Sequence, residues 1–151
     1  MIDWQYVAGY FDADGSVSLH VERKKGKAYT VRPIISFVGA HATIEVIRQF
    51  LRDNGIARGS HYIIKSKYNH WGSTSHLAIT DWKTTTQFAN MLLPFAIEKH
   101  RALEIALETI HLRRSIIESG ANVQDSVHQF AALREESHKL AKKGPKHLKP
   151  L

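Results

Sequence analysis

The chain has no cysteine among its 151 residues. This excludes a disulfide framework and a thiolate zinc site, and leaves any metal to oxygen or imidazole ligands. No apolar run is long enough to span a membrane, and the N-terminus lacks a basic region followed by an apolar one. Neither a membrane protein nor a secreted one is expected, and an intracellular location is. Acidic residues are outnumbered, 14 against 21 lysines and arginines, for a formal charge of +7 and a pI near 9.7. That balance favours an acidic partner, nucleic acid before an anionic membrane surface. Apolar residues are plentiful at 43%, which excludes disorder over most of the chain. The length fits one compact α+β domain with a core of its own.

One stretch ends an apolar run in two carboxylates and a glycine: Val7-Ala8-Gly9-Tyr10-Phe11-Asp12-Ala13-Asp14-Gly15. Asp3 is a suitable N-cap, and Trp4, Val7, Ala8 and Phe11 recur at helical spacing, which predicts an amphipathic helix over residues 4–14. Gly9 and Ala13 fall on a different stripe. Small residues four apart let another backbone come close, at some cost in helix propensity, while Gly15 permits a sharp exit. The plainer alternative is a tolerated Gly9 and an ordinary C-terminal stop at Gly15.

A strand pattern follows. Val17, Leu19 and Val21 alternate with polar residues, Lys24-Lys25-Gly26-Lys27 forms a basic turn, and Val31, Ile35 and Phe37 continue the apolar face of a return strand. Pro33 within that strand predicts an edge or an irregularity. Ile44, Ile47 and Leu51 predict a helix over about 42–54, stopped by Asn54-Gly55. The order then repeats. Residues 60–68 and 73–80 form a second hairpin, with Leu77 and Ile79 inward and Thr74, His76 and Ala78 outward. The facing of its first strand stays open, because Ser60-His61-Tyr62-Ile63-Ile64-Lys65-Ser66 has adjacent apolar residues. Asp81 caps a helix that Pro94 ends or bends. Two more helices are expected, one through Leu103 and Ile110 to about Ser119, the other through Val123 and Phe130 to about Lys142. The expected fold is a four-stranded, mainly antiparallel, saddle-like sheet with helices on one face, in a single domain over 1–141. Residues 142–151 form a basic tail with helix breakers and little to bury.

An open sheet face of serine, threonine, histidine, arginine and lysine suits the DNA major groove, where each base pair displays its own donor and acceptor pattern. The expected contacts are Ser18, His20, Glu22, Lys24, Arg32 and Ile34, with Ser36, Lys65 and His76 beside them. Lys25 and Lys27 are expected on the phosphate backbone. Arg32 is the best candidate for bidentate reading of guanine. An ordinary solvated sheet face is the alternative that alternation alone leaves open.

Residues 7–15, with Ser16 and the strand behind them, resemble the signature helix of the LAGLIDADG homing endonucleases. The resemblance extends over about residues 4–100, through the repeated helix-hairpin-helix order and through Leu93-Pro94-Phe95 followed by Lys99. It implies a site-specific, intron-encoded type of endonuclease that cuts both DNA strands and leaves short 3′ overhangs. A single copy of the motif implies a homodimer whose signature helices cross at the symmetry axis, with Gly9, Asp12 and Ala13 at the interface and a long near-palindromic target. By the same resemblance Asp14 binds a divalent metal, Mg2+ or another such as Mn2+, beside the Ala13 carbonyl, and hard oxygen ligands suit magnesium. Lys99 matches the family's basic residue near the active site. His41 or Ser36 falls where the family places a polar residue that organises water, and His41 is taken as the catalytic one. The family's further basic residue has no clear counterpart, since Glu45 stands near its position and Arg48 a turn away.

The two acids differ in geometry. Asp12 lies about 200° around a regular helix from Asp14, so both cannot point the same way, and a structural or capping role is expected for Asp12. A zinc site among His61, His70 and His76 is not expected, since none makes a ligand pair at helical spacing. The rival function is an intron RNA maturase or a DNA-binding regulator of the same fold without cleavage. The presence of Asp14 with Gly15 behind it favours the enzyme, and intron RNA is not itself indicated by the sequence.

Overall fold

Asp3 starts the first helix by accepting a hydrogen bond from the Tyr6 N–H at 2.8 Å, as an N-cap carboxylate does. The computed structural model describes residues 1–22, 30–56, 60–65, 73–121 and 126–141. Its elements in order are α1 (Trp4–Asp14), β1 (Gly15–Glu22), β2 (Thr30–Ala40), α2 (His41–Asp53), β3 (Ser60–Lys65), β4 (Ser73–Ile79), α3 (Trp82–Leu92), α4 (His100–Ser119) and α5 (Val127–Leu140). Lys24, Lys25 and Lys27, the Asn69–Gly72 turn, Val123 and the 142–151 tail lie outside the described residues. No described helix is long and apolar enough to cross a membrane.

The sheet has four strands in the order β1-β2-β4-β3, and every adjacent pair is antiparallel. Alternation sets the faces as read from the sequence. Val17 pairs with Ile35 and Phe37 with Leu77 on the covered side, while Ser18 pairs with Ile34 and Val38 with His76 on the other. Pro33 sits opposite Leu19, inside an interior strand. β4 pairs with β2 from Ile35 onward, so at Pro33 the described strand is locally an edge, where proline is tolerated.

Gly15 departs from the expectation of a sharp glycine turn. Its φ of −82° is ordinary extended backbone. What requires glycine is space, because a β-carbon there would overlap the Phe11 ring and lie 2.8 Å from the Phe11 carbonyl oxygen. The helix therefore runs straight into β1 with the Phe11 side chain pressed under the junction.

Val7, Ala8 and Phe11 bury one face of α1 against Phe37, Ile44, Ile47, Phe88 and Leu103. Phe37 links two edge-on aromatic contacts, to Phe11 at 5.6 Å and to Phe88 at 5.7 Å between centroids. Each such side chain contributes about 1.5–3 kcal/mol by leaving water, so α1 is fixed by its apolar face. Helix α2 starts at His41, one residue before the expected 42, and ends where Asn54 donates from its side chain to the Phe50 carbonyl. Gly55 follows at φ 82°, a conformation that glycine adopts without strain. Asp81 caps α3 by accepting from the Thr84 N–H. Farther along, Phe130 of α5 packs with Val31 and Ile116 beside Leu19 and Val21. Arg101 joins α4 to α5 through two bonds to Glu136, at 2.6 and 2.9 Å.

Candidate functional site

The C-terminal end of α1 is exposed at Ala13 and Asp14. Among the described residues the Asp14 carboxylate takes part in no hydrogen bond or ion pair, but its charge acts on Tyr10. Burial pushes the Tyr10 phenol above its ordinary value, and the Asp14 carboxylate and then the Tyr6 phenol push it further. The Tyr10 hydroxyl donates to the Val38 carbonyl at 3.3 Å. It occupies the space that a β-carbon on Gly39 would need.

Asp12 points elsewhere. Its two oxygens accept from the backbone N–H groups of Ile97, at 2.8 Å, and Lys99, at 3.0 Å. Those amides precede α4, whose N-cap position has no side-chain bond of its own. The second acid of α1 is left exposed while the first is bound to the backbone, as their separation around the helix demands.

Lys99 is half-buried. Its ammonium donates to the Phe11 carbonyl at 3.0 Å and lies 5.7 Å from the centre of the Phe11 ring. A cation there complements the negative end of α1. Lys99, far along the chain, is thereby bound to the last turn of the helix that Asp14 ends. His41 is the first residue of α2 and is exposed. Its Nδ1 is 2.7 Å from the hydroxyl of Ser75, which is fully buried. The pairing of Gly15 with Phe37 puts the α1–β1 junction beside the end of β2, so His41 and Asp14 flank the same end of the sheet. Glu45 holds Arg48 in a short ion pair, so the basic residue near that position is engaged with its own helix.

On the uncovered face, Ser18 and His20 are exposed, and Ile34 and Arg32 lie across from them, half-buried. Ser36 departs from the expected pattern of open contacts: it is 9% exposed and its hydroxyl pairs with that of Ser16 at 2.7 Å. Burial pushes His76 below its ordinary value, which suits a neutral hydrogen-bonding ring better than a phosphate-bound cation. Glu22 pairs with Thr30, at the register of the uncovered face. Lys65 pairs with Ser73, at the register of Ser75 and Leu77. The adjacent apolar residues of β3 hid that parity.

No family model and no curated protein sequence matches the chain. Solved structures do. The homing endonuclease I-CvuI, in complex with its target, superposes with a TM-score of 0.69 at 15% identity, over 91% of this chain and 80% of that one. The archaeal intron-encoded homing endonuclease I-Vdi141I, complexed with DNA, gives 0.67 at 17%, over 98% and 87%. The LAGLIDADG homing endonuclease I-GzeII, with its DNA target, gives 0.62 at 18%, over 99% of this chain and 47% of that one. This is the LAGLIDADG homing-endonuclease fold.

In this LAGLIDADG fold the signature helix supplies oxygen donors at an exposed, electronegative helix end: the Asp14 carboxylate and the last carbonyls, Ala13 among them. Oxygen donors of that kind fit a hard divalent cation. No group of three or more histidine, aspartate or glutamate side chains among the described residues could hold a metal. Among the described residues, the side chains of one chain therefore do not make a full coordination shell by themselves. Sequence reasoning missed Tyr10, Gly39 and Ser75. Gly39 carried a signal, since glycine inside a strand pattern marks a close approach. Ser75 carried one too, as a hydroxyl at a position where the alternation calls for an apolar side chain.

Proposed function

We propose that the protein is a site-specific double-strand DNA endonuclease that acts as a homodimer on a long near-palindromic target. The observation that carries this reading is that the Lys99 ammonium is bound to the Phe11 carbonyl in the last turn of α1, the helix that ends in the exposed Asp14. A carboxylate for a cation and a fixed ammonium for phosphate are the groups that phosphodiester hydrolysis needs.

In this reading Asp14 and the Ala13 carbonyl hold a divalent cation, Mg2+ or Mn2+. Such an ion polarises the phosphodiester and makes a bound water more acidic. Lys99 steadies charge on the phosphate, and His41 positions water. The uncovered face reads bases through Ser18, His20, Ile34 and Arg32, with Glu22 and His76 at its margins. Lys24, Lys25 and Lys27 would meet phosphates. I-CvuI, which shares the fold, is in complex with its target in the presence of Ca and with the I-CreI target in the presence of Mg, where the DNA is not cleaved. The homodimer is supported by Tyr6, Gly9 and Ala13, which form an exposed stripe on α1 opposite its buried face. It is also supported by I-GzeII, about half of which this chain matches.

Selection of cleaved sites from a random DNA library with magnesium tests the proposal. Wild type should yield one recurrent site with 3′ overhangs, and Asp14→Asn should bind that site without cutting it. Undiminished cutting by the variant removes Asp14 from the mechanism. Selective binding without cutting by wild type would favour a regulator of the same fold, and preference for structured intron RNA would favour a maturase.

A further inference from the structure

Two residues after Asp14, Ser16 opens the uncovered face of β1. It is exposed, and its hydroxyl lies 2.7 Å from that of Ser36, directly across the ladder on β2. The two serines differ in their access to water. Ser36 is 9% exposed and is flanked across the sheet by Ser16 on one side and by the buried Ala78 on the other. Neither hydroxyl has a second hydrogen-bond partner among the described residues.

That difference sets the direction of the bond. One proton lies between the two oxygens, and the accepting hydroxyl must send its own proton elsewhere. If Ser16 donated, the Ser36 proton would be left at a buried position with no acceptor among the described residues, and its hydration would be lost without return. With Ser36 as donor, the spare proton belongs to Ser16, where solvent or a ligand can accept it.

We propose that Ser16 contacts a DNA phosphate and that Ser36 is its positioning residue: the buried hydroxyl donates to the exposed one, holds it in place, and leaves the Ser16 Oγ–H as a fixed donor to a phosphate oxygen beside the cleaved bond. Place decides for phosphate over base. Ser16 directly follows the helix end that carries Asp14, whereas Ser18 and His20 come farther along β1. Serine hydroxyls are ordinary phosphate donors that fix a protein's register on the duplex. A hydroxyl that already accepts one hydrogen bond is also the better donor, because linked bonds polarise one another. Ser36 therefore serves the site without touching DNA.

The phosphate in this inference rests on the proposed endonuclease reading, and the direction of the hydroxyl pair does not. Two measurements keep them apart. In the first, neutron diffraction from deuterium-exchanged crystals of the free protein should find the deuteron between the two oxygens bonded to Ser36 Oγ. A deuteron bonded to Ser16 Oγ in that position overturns the proposal, whether or not the protein cuts DNA. In the second, DNA affinity is measured without divalent metal, on the selected target and on copies carrying one methylphosphonate in turn at the phosphates flanking the cleaved bond. Ser16→Ala should weaken binding of unmodified DNA about tenfold, the scale of one hydrogen bond to a charged group. At one modified phosphate that loss should vanish, because the acceptor is already gone. Ser36→Ala should cost less, and nothing once Ser16 is alanine. A Ser16→Ala loss that persists at every modified phosphate overturns the phosphate contact. An equal Ser36→Ala loss with and without the Ser16 hydroxyl shows packing alone and overturns the positioning role. Wild type that binds no DNA defeats the endonuclease reading and with it the phosphate assigned to Ser16, while the neutron result still decides the hydroxyl pair.

Discussion

Lys99 is held twice by α1: its backbone N–H bonds the Asp12 carboxylate at 3.0 Å, and its ammonium bonds the carbonyl of the adjacent Phe11, also at 3.0 Å. The signature helix therefore both begins α4 and aims its first cation. Asp12→Ala removes an anion from an otherwise uncapped helix start and frees two backbone donors. It should lower stability by about 1–2 kcal/mol, read by urea denaturation, and it should slow cleavage through Lys99. Asp12→Asn retains one acceptor and should lose less. Equal stability of Asp12→Ala and wild type would show that this contact is idle.

Tyr10 and Gly39 should behave as a unit. A β-carbon on Gly39 overlaps the Tyr10 hydroxyl but lies 3.2 Å from the ring carbon that bears it. Gly39→Ala should cost about 1–3 kcal/mol, the usual range for overfilling a packed site. Adding Tyr10→Phe should recover most of that loss, because the offending atom is gone. Thermal denaturation of the two single variants and the double one measures the coupling, and additive losses would contradict it.

Gly9 separates a helix that faces water from one that faces a partner. A β-carbon added there meets nothing within 4 Å in the single chain. Gly9→Ala should therefore raise the stability of an isolated chain by up to about 1 kcal/mol through helix propensity. Gly9→Leu should drive the proposed dimer to monomer in sedimentation velocity while the far-UV circular dichroism stays helical. A dimer that survives Gly9→Leu unchanged would move the interface off this stripe.

His76 should make stability fall in mild acid. Burial holds its folded pKa below the ordinary 6.5, so the unfolded chain binds the proton first. The contribution of the neutral ring is complete above about 6.5 and is lost as pH drops through the window beneath it. His76→Gln should flatten denaturation midpoints between about pH 7 and 5 relative to wild type. An unchanged slope would assign that acid sensitivity to another group. The same neutral ring implies that His76→Gln leaves the salt dependence of DNA binding nearly unaltered, whereas losing a phosphate-bound cation reduces the slope by about one.

Much of the fold is legible in the chain because its signals are local. Asp3 and Asp81 cap the helices they precede, and the alternation of β1, β2 and β4 assigns faces without help from distant residues. Period-2 and period-3.6 patterns report burial directly. β3 was not legible, since adjacent apolar residues satisfy either facing and only pairing with β4 set Lys65 against Ser73. The need for glycine at Gly15 was legible, but its cause was not: the ring that excludes a side chain is Phe11, one helical turn back and folded under the strand.

The sequence by itself determined the helix-hairpin-helix order, the basic character, and the difference between Asp12 and Asp14, because spacing around a helix is enough to point two acids apart. Only the tertiary structure decided what each acid meets. Asp12 is bonded to amides eighty-odd residues away, Lys99 reaches back to the Phe11 carbonyl, and Ser75 lies under His41. No periodicity encodes such contacts. They arise when a sheet and two helix ends are brought together by a shared apolar core, and the polar groups left inside must find partners there.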